Sequence, residues 1–221
     1  MKKRTFAFGV KKIAVVLSTV TLAFIILAIS VLRSSAIRPN IDVYSATPKP
    51  VLKEGAQEKK IEIMYVMPFP GRILPDSPFW PIKALRDKLW MGVTTNPMRK
   101  AELSLLFADK RLISSYELFK INKPLLALST LTKAEKYLEA GSVIEKKERQ
   151  KGLDTKSFLF TLATTSLKHR EVVEEKLNIV PDDIKPDVIK MEDYPKNVYK
   201  ECRDALQSQG AFAPENPFDT D

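Results

Sequence analysis

Residues 13–32, IAVVLSTVTLAFIILAISVL, run for twenty positions without a charge, and that run constrains everything around it. At about 1.5 Å per residue, a helix this long reaches roughly 30 Å, the thickness of a bilayer's hydrocarbon core. Ser18, Thr19, Thr21 and Ser30 interrupt it only mildly, because a hydroxyl can return its hydrogen bond to the helix's own carbonyls. Lys2, Lys3, Arg4, Lys11 and Lys12 precede the run, and Arg33 and Arg38 follow it. The larger positive flank stays in the cytoplasm. The expected organisation is a cytoplasmic flank at 1–12, a transmembrane helix at 13–32 and an extracytoplasmic remainder in the cell membrane. Ser34 and Ala36 offer small-residue spacing for cleavage after Ala36. A signal peptide's apolar region is usually about 7 to 15 residues, however, shorter than this run.

The net charge of +9 owes five units to that N-terminal flank. Beyond it, signs are mixed, as in Glu145-Lys146-Lys147-Glu148-Arg149, which reads as a solvated helix face and argues against a nucleic-acid partner. Cys202 is the single cysteine, so no intramolecular disulfide can form. Glycine is scarce at 7 and proline plentiful at 15, with the prolines between helix-forming stretches. This composition favours helices over sheet.

Residues 33–60 are polar and without periodicity, a linker. From 61 to 81 the chain is apolar but carries Pro68, Pro70, Pro75, Pro78 and Pro81, which forbid a long helix and favour an extended strap. Ile61, Ile63 and Tyr65 alternate with Glu62 and Met64, a weak strand-like pattern. So apolar a strap should lie in a groove, with Phe69, Phe79, Trp80 and, on the next helix, Trp90 as structural or interaction anchors. Asp76 or Ser77 caps a first helix whose apolar side is Ile82, Leu85 and Leu89, with Gly92 at its end. Asn96-Pro97 opens a second helix, with a stripe from Met98 through Ala101, Leu105, Ala108, Leu112 and Tyr116 to Phe119. Asn122 suits the left-handed turn that ends it.

Pro124 begins a third helix, whose stripe passes Leu128, Leu131, Ala134 or Glu135, and Leu138. Gly141, costly within a helix, predicts a break or kink there, with Ser142 and Glu145 as a capping box. Asp154 caps a fourth helix bearing Leu159, Leu162, Ser166, His169 and Val173 on one face. Pro186 and Pro195 divide residues 182–209 into two short helices, the second burying Val198, Cys202 and Ala205. Residues 210–221 should be disordered. The fold expected is all-α: an antiparallel helical bundle over 61–209, preceded by the strap and one transmembrane helix.

The string YVMPFPGRILPDSPFWPIKALRDKLW, Tyr65 to Trp90, resembles the opening of a bacterial membrane-anchored family of domains of unknown function. Members show a Y-x-L-P-x-P-G entry, an L-P-D-x-P-[FLY]-[YW] turn and a K-x-x-R-D helix. The likeness continues through KAELSLLFADKRL at 100–112 and LTKAEKYLE at 131–139. Arg72 stands as an extra residue after Gly71, and Pro195 interrupts what is usually a longer final helix. The resemblance implies a helical domain beside an N-terminal membrane helix and brings no catalytic residues with it.

Site chemistry is sparse. His169 is the only histidine, and Thr165, Ser166, Val172 and Val173 at helical spacing are not strong metal ligands. A hydrogen-bonded, partly buried histidine is expected. Glu171, Glu174 and Glu175 read as a solvated acidic face. No G-x-S-x-G and no glycine-rich phosphate loop occur, and Cys202 reads as a small buried hydrophobe. No cofactor, metal or catalytic residue is therefore assigned. The expected partners are membrane lipid through residues 13–32 and a protein of unspecified identity. The expected function is a structural or protein-interaction module, with an extracytoplasmic ligand- or stress-sensing domain as the alternative and a hydrolase behind both.

Overall fold

The computed structural model describes residues 15, 17–23, 25, 26, 29 and 62–218. The chain divides into two compact units, one combining residues up to 41 with Ile82–Thr94 and the other residues 42–81 with 95–221.

In the first unit, the described N-terminal residues are helical and exposed. Ser18 donates to the Val15 carbonyl at 3.1 Å and Thr21 to that of Ser18 at 2.9 Å, as expected of hydroxyls on an apolar helix. Among the described residues no helix is long and apolar enough to cross a membrane. Much of the 13–32 run, the 1–12 flank, the 33–60 linker and the cleavage position at Ala36 lie outside the described residues. Helix α1 (Trp80–Val93) starts where Pro81 can occupy its first turn. It runs through Gly92, where an end was expected, and it exposes Ile82 and Leu85 of its apolar side.

The second unit is all-helical apart from the strap and tail. Helices α2 (Pro97–Lys120) and α3 (Pro124–Gln150) form its main hairpin, followed by α4 (Lys156–Lys176), a 3₁₀ turn (Leu177–Ile179), α5 (Lys185–Met191) and α6 (Asp193–Ser208). Asn96 caps α2, its side-chain oxygen accepting from the Arg99 N–H at 3.1 Å. Asn122 takes the left-handed conformation at φ 58° between α2 and α3. Pro186 lies in the first turn of α5 and Pro195 near the start of α6, where a missing N–H costs little. The expected pair of C-terminal helices is present.

The α3 helix does not break at Gly141. A side-chain carbon there would stand 3.4 Å from the Ala101 carbonyl oxygen and 3.7 Å from Ser104 Cβ, so the glycine marks where α2 and α3 cross closely. Glu145 is not half of a capping box. It is 1% exposed and accepts from Thr155 at 2.5 Å and Arg149 at 3.0 Å.

The strap is extended without pairing as a strand. Its alternation persists: Ile63, Tyr65 and Met67 are half-buried while Glu62, Met64 and Val66 are exposed. Gly71, at φ 90°, supplies a bend after Pro70. The tail also departs from expectation. Residues 211–216 lack regular structure, yet Ala211, Ala213 and Phe218 pack on the core. Tyr199 donates to the Pro214 carbonyl at 2.8 Å, and Arg170 stacks on Phe218 at 4.1 Å. Apolar side chains in a short tail bury area at little entropic cost once α4 and α6 offer a seat.

The close crossing makes a prediction about size at residue 141. Gly141→Ala should stay within about 1 kcal/mol of the parent or gain slightly, since the added carbon meets its neighbours at ordinary contact distance and alanine favours the helix. Gly141→Leu should cost about 1–3 kcal/mol by forcing the helices apart, measured by denaturant unfolding followed by helical circular dichroism.

Candidate functional site

The core of the helical unit is two apolar clusters. One gathers Leu105, Ala108, Leu138, Leu162, Leu167 and Cys202 among others; the second gathers Leu112, Leu118, Leu131, Ala134, Val172 and Val173 among others. Along α2 the change of cluster falls between Ala108 and Leu112, along α3 between Ala134 and Leu138, and along α4 between Leu167 and Val172. Along the strap it falls between Ile63 and Met67. The residues at the four crossings are Asp109, Glu135, His169 and Tyr65, and they meet as one polar layer.

His169 is the centre of the layer. Its Nδ1 lies 3.0 Å from Glu135 Oε1 and its Nε2 3.1 Å from Asp109 Oδ1. Tyr65 donates its phenol hydrogen to Asp109 Oδ2 at 2.7 Å. His169 and Glu135 are fully buried and Asp109 is 2% exposed. Burial alone would push the histidine towards its neutral form. The Glu135 charge and the hydrogen bonds to both carboxylates outweigh it and push the pKa up to about 10, so the ring is an imidazolium at neutral pH. Burial and the Asp109 charge hold the Tyr65 phenol well above its ordinary range, despite an opposing contact from Thr165. Glu135 Oε2 is buried without a hydrogen-bond partner among the described residues, the one place in the layer with capacity for a further donor.

The two ring nitrogens face opposite carboxylates, so Asp109 and Glu135 do not converge on a common point. Among the described residues no three His, Cys, Asp or Glu side chains are grouped to hold a metal ion. His169, Glu135 and Asp109 are sealed from solvent, and their chemistry is that of a charged, hydrogen-bonded core. Cys202 is 1% exposed, and burial together with the Glu145 and Glu201 charges raises its thiol far above the usual range, leaving it unreactive.

A second set of contacts pins the strap. Glu171 Oε2 accepts from the Ile63 N–H at 2.6 Å, and Lys168 Nζ donates to the Ile63 carbonyl at 3.2 Å and to Glu171 Oε1 at 2.7 Å. Glu171 is thus a 7%-exposed clamp, where the sequence suggested a solvated face. Glu174 pairs with Arg170, so the three glutamates do not act together. Asp76 pairs with Lys123 at 2.8 Å, fastening the strap's far end to the α2–α3 turn.

The anchor residues separate. Phe69 is 74% and Phe79 62% exposed, so neither fills a groove. Trp80 and Trp90 are half-buried on α1. Tyr65, Ile63 and Met67 hold the strap instead. Backbone and phenol hydrogen bonds to buried charges are stronger fixings than proline-flanked aromatics, and they leave Val66, Phe69 and Phe79 facing outwards.

The layer should be visible in stability. In the unfolded chain His169 gives up its proton near pH 6.5, and in the folded one near 10. Between those values the folded state holds the extra proton, so stability falls as pH rises, by at most about 1.4 kcal/mol per pH unit. Below 6.5 this contribution is fully present. His169→Gln should cost on the order of 3–5 kcal/mol by leaving buried carboxylates uncompensated, and should flatten that slope. Tyr65→Phe should cost about 1–3 kcal/mol. Denaturant unfolding across pH 6 to 10 measures all three effects.

Nothing matches the chain among curated proteins or solved structures. A family model described as a domain of unknown function, DUF5667, matches residues 72–183, just over half the chain. The match contains Asp109, Glu135 and His169 and begins after Tyr65 and the proline-rich entry. On the extent of that match, the chain belongs to the DUF5667 family of domains of unknown function.

Proposed function

We propose that the chain is a single-pass membrane protein whose helical domain lies outside the cytoplasm and serves as a structural or protein-interaction module. The observation that carries the interaction reading is the strap. Its backbone is fixed at Ile63 by Lys168 and Glu171 and its Tyr65 phenol by Asp109, yet Val66, Phe69 and Phe79 are 86%, 74% and 62% exposed. A proline-stiffened segment that presents apolar side chains in a fixed geometry loses little entropy on binding, which suits it to a protein partner. Neighbouring Met64 is 59% exposed and extends the patch. Residues 13–32 support the membrane tether, and the excess of bases before them supports an inside N-terminus. No enzymatic role, cofactor or nucleic-acid partner belongs to this reading.

A ligand-sensing role has one observation in its favour. A cleft of about 260 Å³ between α4 and α6 is lined by Arg170, Lys196, Lys200 and Arg203. Three of these cations already pair, with Glu174, Glu192 and Asp204. The cleft is also at the small end for ligand sites, which run to roughly 300–1,000 Å³. The interaction reading is the stronger.

Two measurements test it. A reporter active only outside the cytoplasm, fused after Asp221, should be active; activity only from a cytoplasmic reporter overturns the topology. A photo-crosslinking residue placed in cells at Phe69 or Phe79 should give a discrete protein adduct, absent from the 94%-exposed tail position Phe212. Equal labelling at all three positions overturns the strap as the binding surface. Phe69→Ala and Phe79→Ala should each leave stability within about 0.5 kcal/mol of the parent.

A further inference from the structure

Arg111 is the one buried arginine among the described residues, at 8% exposed, and none of them supplies it with a carboxylate. The other helical arginines, Arg86, Arg99, Arg149, Arg170 and Arg203, each hold a carboxylate at 2.6–3.0 Å. Arg111 is held by aromatic rings instead. Its guanidinium carbon lies 4.5 Å from the centre of the Tyr137 ring and 5.6 Å from that of Phe107. The two rings meet edge to face, their centres 5.8 Å apart. Among the described residues its only hydrogen bond runs from Nη1 to the Phe107 carbonyl on its own helix, at 3.5 Å.

Ring faces attract a cation, but they do not replace the N–H bonds that lie in the guanidinium plane. Nε and Nη2, which form one edge of the fork, are left without an acceptor. Both reach solvent, since Glu135 Oε2 is the one fully buried side-chain polar atom without a partner among the described residues. A desolvated charge without a counter-ion is costly, and the other helices show that this fold places carboxylates against arginines readily. The stem of Arg111 is thus buried, its charge unbalanced and its donor edge open.

We propose that Arg111 is a binding site for a carboxylate, taken side-on by the Nε–Nη2 edge between Phe107 and Tyr137. The rings set the plane of the fork before a ligand arrives, so little side-chain freedom is lost on binding. Two parallel donors and one positive charge match a planar, singly charged carboxylate more closely than a phosphate dianion. An acidic group of a protein partner and a small free acid offer the same chemistry. The site lies on α2 and α3 and does not rest on the strap or on the membrane tether.

The test is a titration of the full chain in detergent micelles, with the Arg111 Nε–H resonance assigned through bonds from its own backbone amide. The probes are sodium acetate, inorganic phosphate and, at matched ionic strength, sodium chloride. The exposed Arg72 is the internal reference. The expected result is a saturable downfield shift of Arg111 with acetate, little with chloride, and no saturation at Arg72. Tyr137→Leu, which frees the fork, should weaken acetate binding several-fold, whereas Tyr137→Phe should bind as the parent does. The parent titration decides the matter even if a variant fails to fold. No shift with acetate, or an equal shift with chloride, makes Arg111 a packing residue and overturns the inference. Saturation by phosphate but not acetate overturns the carboxylate assignment. A photo-crosslinking residue at exposed Lys133, one turn before Tyr137 on the same face of α3, separates the two sources. A discrete adduct in cells that Arg111→Lys abolishes puts the carboxylate on a protein; acetate saturation without such an adduct puts it on a small acid, and both outcomes keep the site.

Discussion

A buried imidazolium between two carboxylates sets the register of this bundle. His169, Asp109 and Glu135 come from three helices, and each can be satisfied only when all three helices sit at one axial alignment. Slipping any helix by a turn would move a charge into an apolar cluster and leave its partners unpaired, a cost of several kcal/mol. Apolar side chains alone are tolerant of such slips, since one leucine packs much like another. The layer contributes less to net stability than to the choice of a single arrangement.

The same layer explains why an extended segment belongs to a helical fold. Tyr65 completes Asp109, while Ile63 and Met67 finish the apolar clusters on either side. The strap therefore behaves as a fourth member of the core, parallel in its order of crossing to α2 and α4. Its outer side is apolar as well, and Val66, Phe69 and Phe79 stay exposed on it.

Much of this was legible in the sequence: the helix stripes, the Asn96 cap, the left-handed Asn122, the divided C-terminal helices and a hydrogen-bonded histidine, expected partly buried and found fully so. The layer itself was half-visible. The α3 stripe passed through Ala134 or Glu135, and Asp109 lies within a helical turn of both Leu105 and Leu112. Charged residues at helical spacing are usually solvated, so periodicity could not identify three that meet across helices. Gly141 misled because propensity penalises glycine locally, whereas its benefit, close approach to Ala101, is tertiary. Phe69 and Phe79 misled because hydrophobicity alone does not say which face of an extended segment the backbone presents.

The point at which the strap is pinned also decides how the domain would carry load. A pull on the chain ahead of residue 62 enters the fold at Ile63, whose amide and carbonyl are gripped by Glu171 and Lys168 midway along α4. Along the chain from that end, the contacts of Ile63 come before that of Tyr65. The strap would detach ahead of the helices, and the first deep consequence would be water reaching Asp109 as Tyr65 leaves. Tension at the N-terminal end would thus be converted into hydration of the domain's charged centre while the helices remain folded.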